Sequence, residues 1–225
     1  MALVYKVQAV IFDMDGVITH TMPCHYRAWK KVLAAEGIPV RRRDVYLREG
    51  QAGAAFVHEI YRQYQRSITP ERAMALLRAK EKHFQETVHP RYVSGSRTFL
   101  RDLKKTGLRL GLVTGTARHE LTSLLPQEIQ DFFSTIITGS DVKRGKPHPE
   151  PYLKALRALK IAPSKAVVIE NAPFGIRSAK AAGIACLALE TSLPAAYLRQ
   201  ADHVFSSIRH LRTEVQFITQ QRSYP

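Results

Sequence analysis

The stretch AVIFDMDGVIT, residues 9–19, contains the clearest structural signal in this sequence. Its first part is short, apolar and rich in β-branched residues, which is typical of a buried strand, and we predict that strand over residues 7–13. The apolar run ends at Asp13, and Asp15 follows two positions later. The pattern therefore predicts a core strand that delivers two carboxylates to the loop at its carboxyl end.

Downstream of residue 90 the sequence alternates between strand-like and helix-like runs. The predicted strands are LRLGLVTG (108–115), STIITGSD (134–141), KAVVIEN (165–171), IACLALE (184–190) and DHVF (202–205), and the predicted helices span 96–106, 117–130, 149–160, 173–182 and the C-terminal end. Such alternation, with strands that are largely apolar, indicates a parallel sheet covered by helices on both faces. We predict an α/β fold with a Rossmann-like parallel sheet as its core.

Residues 18–88 interrupt this alternation, because apolar residues there recur at helical spacing. Helices are predicted over 22–36 and 70–87, and residues 44–66 between them have helical spacing that is broken by Gly50 and Gly53. Since the segment follows the first strand, we predict a core domain made of residues 1–17 and 89–225 and an inserted helical domain made of residues 18–88.

The composition excludes several classes of protein. Hydrophobic residues make up 45% of the 225 residues, which is enough for a sizeable core and too many for a disordered chain. No apolar stretch approaches the roughly 18 residues that span a bilayer, and no signal-peptide pattern precedes the first strand. We therefore expect a cytoplasmic protein with no membrane partner.

The formal net charge of +15 is high, but it is not organised into basic–aromatic repeats or zinc-finger spacing. We predict a solvated basic surface and no nucleic-acid partner. Cys24 and Cys186 are far apart and lack metal-ligand spacing, so we expect both to be reduced. The oligomeric state is not defined by any of these patterns.

Polar residues follow the predicted strands at four strand ends. They are Asp13 and Asp15, then Thr114, Gly115 and Thr116, then Asp141, and finally Glu170 and Asn171. In an open parallel sheet, ligands bind beyond the carboxyl ends of the strands. We therefore predict one shared site at that edge of the sheet, with Lys146 in a neighbouring loop.

The charges of these residues point to phosphate chemistry. Three converging acids, Asp13, Asp15 and Glu170, would repel one another unless a cation lay among them, and hard oxygen ligands suit Mg²⁺. Lys146 is a second cation. With both cations present, a carboxylate could attack phosphorus and form an aspartyl-phosphate, while the next carboxylate serves as general acid and then as general base.

The segments FDMDG, VTGT, GKPHPEPY and VVIENAPFGIRSAKAAG together resemble, in order and spacing, the four motifs of the haloacid dehalogenase-like superfamily. The similarity covers nearly the whole chain and is strongest to the β-phosphoglucomutase-like phosphatase branch. In that branch an α-helical cap occupies the place of residues 18–88. The resemblance thus implies an α/β core with a helical cap domain.

The resemblance also implies catalytic roles. Asp13 would be the nucleophile and a ligand of Mg²⁺, and Asp15 would be the acid/base whose backbone carbonyl also binds the ion. Thr114, Gly115 and Thr116 would hold the transferring phosphoryl group.

Further implied roles concern the metal and the cap. Lys146 would neutralise charge on the nucleophile and the phosphate, and Glu170 and Asn171 would complete the Mg²⁺ site. His25 at the cap hinge and Lys80 in the cap would contact the acid/base or the substrate.

Two positions depart from the family pattern. Many members have a second carboxylate where Asn171 stands, so we expect weaker Mg²⁺ binding with activity retained. The mutase clamps the distal phosphate with a cap arginine, and Gly53 occupies that position here. Arg48 lies one turn earlier and is a candidate replacement, although a surface position suits it better.

The leading hypothesis is a Mg²⁺-dependent phosphatase acting on a small phosphorylated metabolite such as a sugar phosphate. A hexose-phosphate mutase of the β-phosphoglucomutase type is the enzymatic alternative. A non-catalytic phosphate- or nucleic-acid-binding protein is the alternative from another class, and it predicts a missing nucleophile or lysine, neither of which is missing.

Overall fold

The computed structural model describes residues 2–51, 53–89 and 91–219. In chain order its strands are β1 (Leu3–Val7), β2 (Ala9–Phe12), β3 (Arg109–Val113), β4 (Thr135–Ile137), β5 (Ala166–Glu170), β6 (Ala185–Leu189), β7 (His203–Phe205) and β8 (Val215–Thr219). Six of them form one parallel sheet in the order β4–β3–β2–β5–β6–β7, and β1 pairs with β8 in a separate parallel ladder. The predicted α/β fold class is confirmed, and β2 lies between β3 and β5.

The helices surround this sheet and fill the inserted segment. They are α1 (Met22–Ala35), α2 (Arg42–Tyr46), α3 (Gly53–Gln63), α4 (Pro70–Thr87), α5 (Ser96–Lys105), α6 (Arg118–Leu124), α7 (Gln127–Gln130), α8 (Glu150–Leu159), α9 (Pro173–Ala181) and α10 (Ile208–Glu214). The first four all belong to residues 18–88, which we call the helical segment. Helix α4 packs against both α1 and α3 there.

Strand β2 is buried on both faces. Ile11 belongs to the core cluster on one face of the sheet, whereas Val10 and Phe12 belong to the cluster on the other. Phe12 meets Phe99 of α5 edge-on, with ring centroids 5.9 Å apart. Full burial of a side chain of this size contributes about 1.5–3 kcal/mol, so the end of β2 is firmly held.

The helical segment has an apolar interior that continues into one of these clusters. The rings of Trp29 in α1 and Phe56 in α3 lie 4.4 Å apart between centroids. Thr69 caps α4 by accepting a hydrogen bond from the Arg72 amide at 3.3 Å, and Pro70 follows as the first helical residue. Local sequence signals therefore fix where α4 begins.

The chain enters and leaves the helical segment at one place. Thr19 on the way out and Tyr92 on the way back form an isolated antiparallel bridge. The amide of His20 also donates to the Arg91 carbonyl at 2.6 Å. The predicted domain boundaries at residues 17 and 88 fall close to this crossing.

Three local predictions need correction. The strand predicted over residues 7–13 corresponds to β2, and a separate strand that was not predicted, β1, precedes it and lies outside the main sheet. The helix predicted over 117–130 is split into α6 and α7 at Pro126, which lacks the amide hydrogen needed to continue a helix. The terminal helix is short, and β8 follows it because residues 215–219 pair with β1 at the other end of the chain.

Two expectations from composition can be compared with the structure. In the part of the chain that the structure describes, no helix combines the length and apolar character needed to span a bilayer. Cys24 and Cys186 are buried and free, as predicted.

Asp141, predicted to lie near the shared site, instead stabilises the turn after β4. Its Oδ2 accepts hydrogen bonds from the Thr138 amide and hydroxyl, both at 2.7 Å, and from Arg118 Nη2 at 2.6 Å. Partial burial raises the pKa of Asp141, but the Thr138 and Arg118 hydrogen bonds outweigh it and lower the pKa below its usual value. The ionised side chain is therefore a structural acceptor.

We expect Asp141→Asn to lower the free energy of unfolding at pH 6 by about 1–2 kcal/mol, because charge-assisted hydrogen bonds are lost. Since the folded-state pKa of Asp141 is depressed, its contribution is present above the unfolded-state pKa and disappears as pH falls through the folded-state value. The stability difference between wild type and variant should thus narrow from pH 6 towards pH 3 in urea unfolding. A difference that widens on acidification would contradict this assignment.

Candidate active site

Three loops meet at the carboxyl edge of the sheet, because β3, β2 and β5 are neighbours. Asp13 follows β2, Thr114 follows β3, and Asn171 follows β5. A cavity of about 440 Å³ lies between these loops and the helical segment. Its lining includes Asp13, Asp15, Thr114, Gly115, Thr116 and Lys146 from the sheet side, and His25, Trp29, Glu49 and Lys80 from the helical segment. Apart from Asp141, the residues predicted from the sequence therefore lie together at this edge, and Glu170 and Asn171 contact the lining residues Lys146 and Glu49 without lining the cavity themselves.

Lys146 is the buried cation on the sheet side of the site. Its Nζ lies 2.5 Å from Asp13 Oδ1 and 2.7 Å from Glu170 Oε1, and it also donates to the Val113 carbonyl at 3.2 Å. Burial opposes the charge of Lys146, but the carboxylates of Asp13 and Glu170 outweigh this effect and raise its pKa well above the usual value. Lys146 is thus a fixed ammonium group beside Asp13.

Glu170 is fully occupied by protein donors. Its Oε1 accepts from Lys146 at 2.7 Å and from the Tyr152 hydroxyl at 3.1 Å. Its Oε2 accepts from the backbone amides of Asn171 and Ala172, at 2.8 and 3.0 Å. A carboxylate offers about four acceptor positions, so all of them are used. This geometry favours a role in positioning Lys146 over direct ligation of a metal ion by Glu170.

The position of Glu170 requires a glycine in α9. A Cβ atom at Gly175 would lie 1.6 Å from Glu170 Oε1. The glycine in the sequence PFG therefore makes room for the carboxylate.

Asp13 has one oxygen engaged and one free. Oδ1 accepts from Lys146, whereas Oδ2 is buried and has no hydrogen-bond partner among the described residues. Burial raises the pKa of Asp13, the Lys146 ammonium lowers it, and the nearby carboxylates of Glu170 and Asp15 raise it further, so that the net shift is upward. A buried carboxylate oxygen without a partner is unfavourable unless another group meets it.

Asp15 is held by four side chains. Its Oδ1 accepts a short hydrogen bond from the Thr21 hydroxyl and lies 3.2 Å from His25 Nε2. Its Oδ2 accepts from the hydroxyls of Thr114 at 3.4 Å and Thr116 at 3.2 Å. Burial raises the pKa of Asp15, but the contacts with His25, Thr21 and Thr116 prevail and lower it below the usual value. Without substrate, Asp15 is a carboxylate.

His25 and Lys80 reach the cavity from the helical segment. The His25 ring stacks on Phe84 with centroids 4.1 Å apart, and Lys80 Nζ lies 4.7 Å from the same ring. Burial first, and then the Lys80 charge, lower the pKa of His25, so a neutral ring donates from Nε2 to Asp15. Burial also lowers the pKa of Lys80, although Glu120 and Asp15 oppose the shift. Lys80 is only 7% exposed and is not a solvated surface lysine.

Sequence reasoning missed several residues of the site, and Glu49 is the clearest. It lies between α2 and α3, is 9% exposed, and accepts a hydrogen bond from Asn171 Nδ2 at 3.1 Å. Burial, followed by the charges of Asp13, Asp15 and Glu170, raises the pKa of Glu49 well above its usual value. An acid beside a glycine in REG was the only local signal for it.

Three other residues were missed: Thr21, Glu120 and Tyr152. Thr21 and Tyr152 donate to the predicted carboxylates, and Glu120 is a buried acid in the cavity wall. Their types and spacing are ordinary for helices, so no sequence pattern distinguished them.

The oxygen atoms left without partners provide a test of whether Mg²⁺ fits. In the described part of the chain, four buried side-chain oxygens lack any hydrogen-bond partner: Asp13 Oδ2, Glu49 Oε1, Gln51 Oε1 and Asn171 Oδ1. Asp13 and Asn171 follow neighbouring strands, and Glu49 is bonded to Asn171. Carboxylate and amide oxygens are the donors that Mg²⁺ prefers, so this set fits the ion.

The expected convergence of Asp13, Asp15 and Glu170 around one ion is not found. Among the described residues, no three acidic, histidine or cysteine side chains are grouped so as to hold a metal. The reason is that Glu170 is taken by Lys146, and Asp15 by the threonine hydroxyls and His25. The oxygen donors that remain are Asp13 Oδ2 and Asn171 Oδ1 at the sheet edge, and Glu49 Oε1 and Gln51 Oε1 in the helical segment.

An α/β sheet with paired aspartates and a buried lysine at its carboxyl edge, facing an inserted helical segment, is the architecture of a phosphoryl-transfer hydrolase. This chain belongs to the haloacid dehalogenase-like hydrolase family, whose model matches residues 10–189. The family resemblance stated from the motifs is confirmed.

Similar proteins support the same class. The "Phosphorylated carbohydrates phosphatase" of Thermotoga maritima is 33% identical over 187 residues, covering 79% of this chain and 82% of that protein. The "Validoxylamine A 7'-phosphate phosphatase" of Streptomyces hygroscopicus subsp. limoneus is 32% identical over 213 residues, covering 92% and 96%. Among solved structures, "Putative beta-phosphoglucomutase from Bacteroides vulgatus" has a TM-score of 0.83 and 33% identity, covering 92% of this chain and 87% of that one. The prediction of a phosphatase-type enzyme is confirmed.

Proposed function

We propose that this protein is a Mg²⁺-dependent phosphatase that hydrolyses a small phosphorylated carbohydrate through an aspartyl-phosphate on Asp13. The observation that carries the proposal is the unpartnered Oδ2 of Asp13, a buried oxygen whose sister atom is held 2.5 Å from Lys146 Nζ. Such an oxygen is fixed in place and has a free lone pair, as a nucleophile requires. The names of the relatives support the substrate class.

The first step transfers the phosphoryl group to Asp13. Oδ2 of Asp13 forms a bond to phosphorus as the bond between phosphorus and the ester oxygen breaks. Asp15 gives a proton to the departing oxygen, and the alcohol is released. Because a negative charge raises the pKa of a neighbouring carboxyl, a bound phosphate dianion favours the protonated form of Asp15 that this step needs.

The second step returns Asp13 to its free form. Asp15, now a carboxylate, takes a proton from water, and the water oxygen attacks the phosphorus of the aspartyl-phosphate. The hydroxyls of Thr114 and Thr116 and the contact from His25 hold Asp15 in position. Lys146 offsets charge on Asp13 and on the phosphoryl oxygens throughout.

The metal ion has a defined place in this proposal. Asn171 Oδ1, the backbone carbonyl of Asp15 and Asp13, through a lone pair other than the one that attacks phosphorus, would hold Mg²⁺. When bound, the ion supplies positive charge that stabilises the transferring phosphoryl group. In this proposal Glu170 does not bind the ion; it positions the ammonium group of Lys146, with which it forms a hydrogen bond.

The helical segment serves as a cap over the cavity, so residues 18–88 form a domain that encloses the substrate. Trp29, Phe56 and Leu77 give the cavity wall an apolar part, whereas Lys80 and Glu120 supply polar groups. A ligand with hydroxyl groups and an aliphatic frame, such as a sugar or polyol phosphate, suits this lining.

The mutase remains the second candidate, because the Bacteroides vulgatus protein carries that name. Retaining a bisphosphate would need a cation in the cap for the distal phosphate. Arg48 does not offer one, since its guanidinium donates to Glu59, the Asp44 carbonyl and Gln63. Gly53 has no side chain to supply it, and Lys80, the ammonium group of the helical segment that lines the cavity, already interacts with Glu120 and Asp15. Hydrolysis is therefore favoured over isomerisation.

The test is phosphate release from a panel of sugar and polyol phosphates. Purified protein is expected to release inorganic phosphate from at least one ester with Mg²⁺, to stop with EDTA, and to recover when excess Mg²⁺ is added. Hexose 1-phosphate with a bisphosphate primer forms the mutase arm, and isomer formation without phosphate release would favour the mutase. No product from any ester in either arm would contradict an enzymatic function.

A further inference from the structure

The loop between α2 and α3 reaches from the helical segment into the catalytic loops. Gly50 in this loop has φ +76°, and a Cβ atom there would lie 2.5 Å from Lys146 Cδ. A Cβ atom at Gly115 would in turn lie 3.0 Å from Gly50 Cα. The two backbones are therefore in close contact, and this contact brings Glu49 beside the sheet edge.

Glu49 and Asn171 form an incomplete polar pair. Asn171 Nδ2 donates to Glu49 Oε2 at 3.1 Å and to Ser192 Oγ at 2.8 Å. Glu49 Oε1 and Asn171 Oδ1 remain buried without partners among the described residues, and Asn171 is 0% exposed. Each such atom is costly in a dry site unless a ligand meets it.

The local charge indicates what kind of ligand is missing. Three other carboxylates, those of Asp13, Asp15 and Glu170, act electrostatically on Glu49, and the ammonium group of Lys146 opposes them. Lys146 is already shared between Asp13 and Glu170. A hard divalent cation would meet the free oxygens and also offset the excess negative charge.

We propose that Glu49 supplies to the Mg²⁺ site the carboxylate that Asn171 does not provide, so that the helical segment itself completes the metal site. The inference rests on the proposed function for the identity of the ion. Its consequence is that the affinity for Mg²⁺ depends on the segment being closed over the sheet. The Glu49–Asn171 hydrogen bond holds the acid in place for this purpose.

The test is isothermal titration calorimetry with Mg²⁺ and the full-length protein, which measures the Kd for Mg²⁺. The Mg²⁺-dependent rise in Tm is a second measurement. Glu49→Gln is expected to weaken Mg²⁺ binding by about 10- to 100-fold, the range for groups that support a metal site. Glu59→Gln is the matched control, because Glu59 also lies in the helical segment but contacts Arg48 and Gln51. It is expected to bind Mg²⁺ as the wild type does.

A second variant tests whether Glu49 is a metal ligand or only holds the helical segment against the sheet. Glu49→Gln combined with Asn171→Asp restores one carboxylate at the site, and it is expected to recover most of the lost Mg²⁺ affinity. Matching Tm values in EDTA would show that the variants fold. Wild-type Mg²⁺ affinity in Glu49→Gln, or no recovery in the double variant, would overturn the proposal, as would the absence of Mg²⁺ binding by the wild type.

These outcomes are separate from those of the phosphatase test. If the wild type releases phosphate while Glu49→Gln binds Mg²⁺ normally, the role of Glu49 fails and the phosphatase stands. If Mg²⁺ binding depends on Glu49 but no ester is hydrolysed, the phosphatase fails and the role of Glu49 stands.

Discussion

Asp13→Asn is expected to lower kcat for phosphate-ester hydrolysis by about 10⁴-fold or more, the scale on which an enzyme loses activity with its nucleophile. The amide that replaces Oδ2 is a poor nucleophile for phosphorus, and it no longer balances the charge of Lys146, which lies 2.5 Å from Asp13 Oδ1. The measurement is steady-state phosphate release with saturating Mg²⁺ and the best ester of the panel.

The matched control for this change is Asp102→Asn. Asp102 lies on α5 at the surface, pairs with Arg212 at 2.6 Å and is not among the residues that line the cavity. It is expected to keep the wild-type rate, since exposed ion pairs contribute little to stability. Equal rates in Asp13→Asn and wild type would eliminate the aspartyl-phosphate proposal.

Asp15→Asn is expected to reduce kcat by about 10²- to 10⁴-fold on a sugar phosphate, because a general acid and base is lost while Asp13 remains. Its backbone carbonyl is unchanged, so Mg²⁺ binding should persist. The hydroxyls of Thr114 and Thr116 still have an acceptor in the amide oxygen, so the loop should keep its shape.

A change of leaving group separates the general-acid role of Asp15 from its general-base role. An aryl phosphate releases a stable phenolate and needs little protonation, so Asp15→Asn should still phosphorylate Asp13 with it. Water activation still requires the missing base, so we expect a burst of phenolate followed by slow turnover in stopped-flow absorbance. Wild-type turnover on both kinds of ester would contradict the acid/base role of Asp15.

The sequence predicted well those features that depend on short segments. Asp13 and Asp15 follow an apolar strand directly, and because parallel strands end at one edge, Thr114 and Asn171 could be placed beside them. These inferences use only the strand pattern and the direction of the strands. They needed no knowledge of how distant segments pack.

Features set by contacts between distant segments could not be predicted. Glu49 approaches Asn171 only because the helical segment closes on the sheet, and β8 exists only because β1 offers it an edge. Asp141 was expected at the site from its place after a strand, yet its hydrogen bonds turn it towards Thr138. Spacing along the chain does not reveal which partner a carboxylate selects.

We expect the crossing formed by Thr19 and Tyr92 to act as the hinge when the cavity opens. The two chain segments that connect the helical segment to the sheet run side by side. The helical segment can therefore rotate about this crossing but stays attached to the sheet. His25 follows Thr19 closely in sequence, whereas Glu49 lies farther along the helical segment. We therefore expect a small rotation to move Glu49 away from Asn171 before His25 leaves Asp15. The contacts of the acid/base would then persist in a partly open enzyme, whereas the Mg²⁺ ligand from the helical segment would be withdrawn.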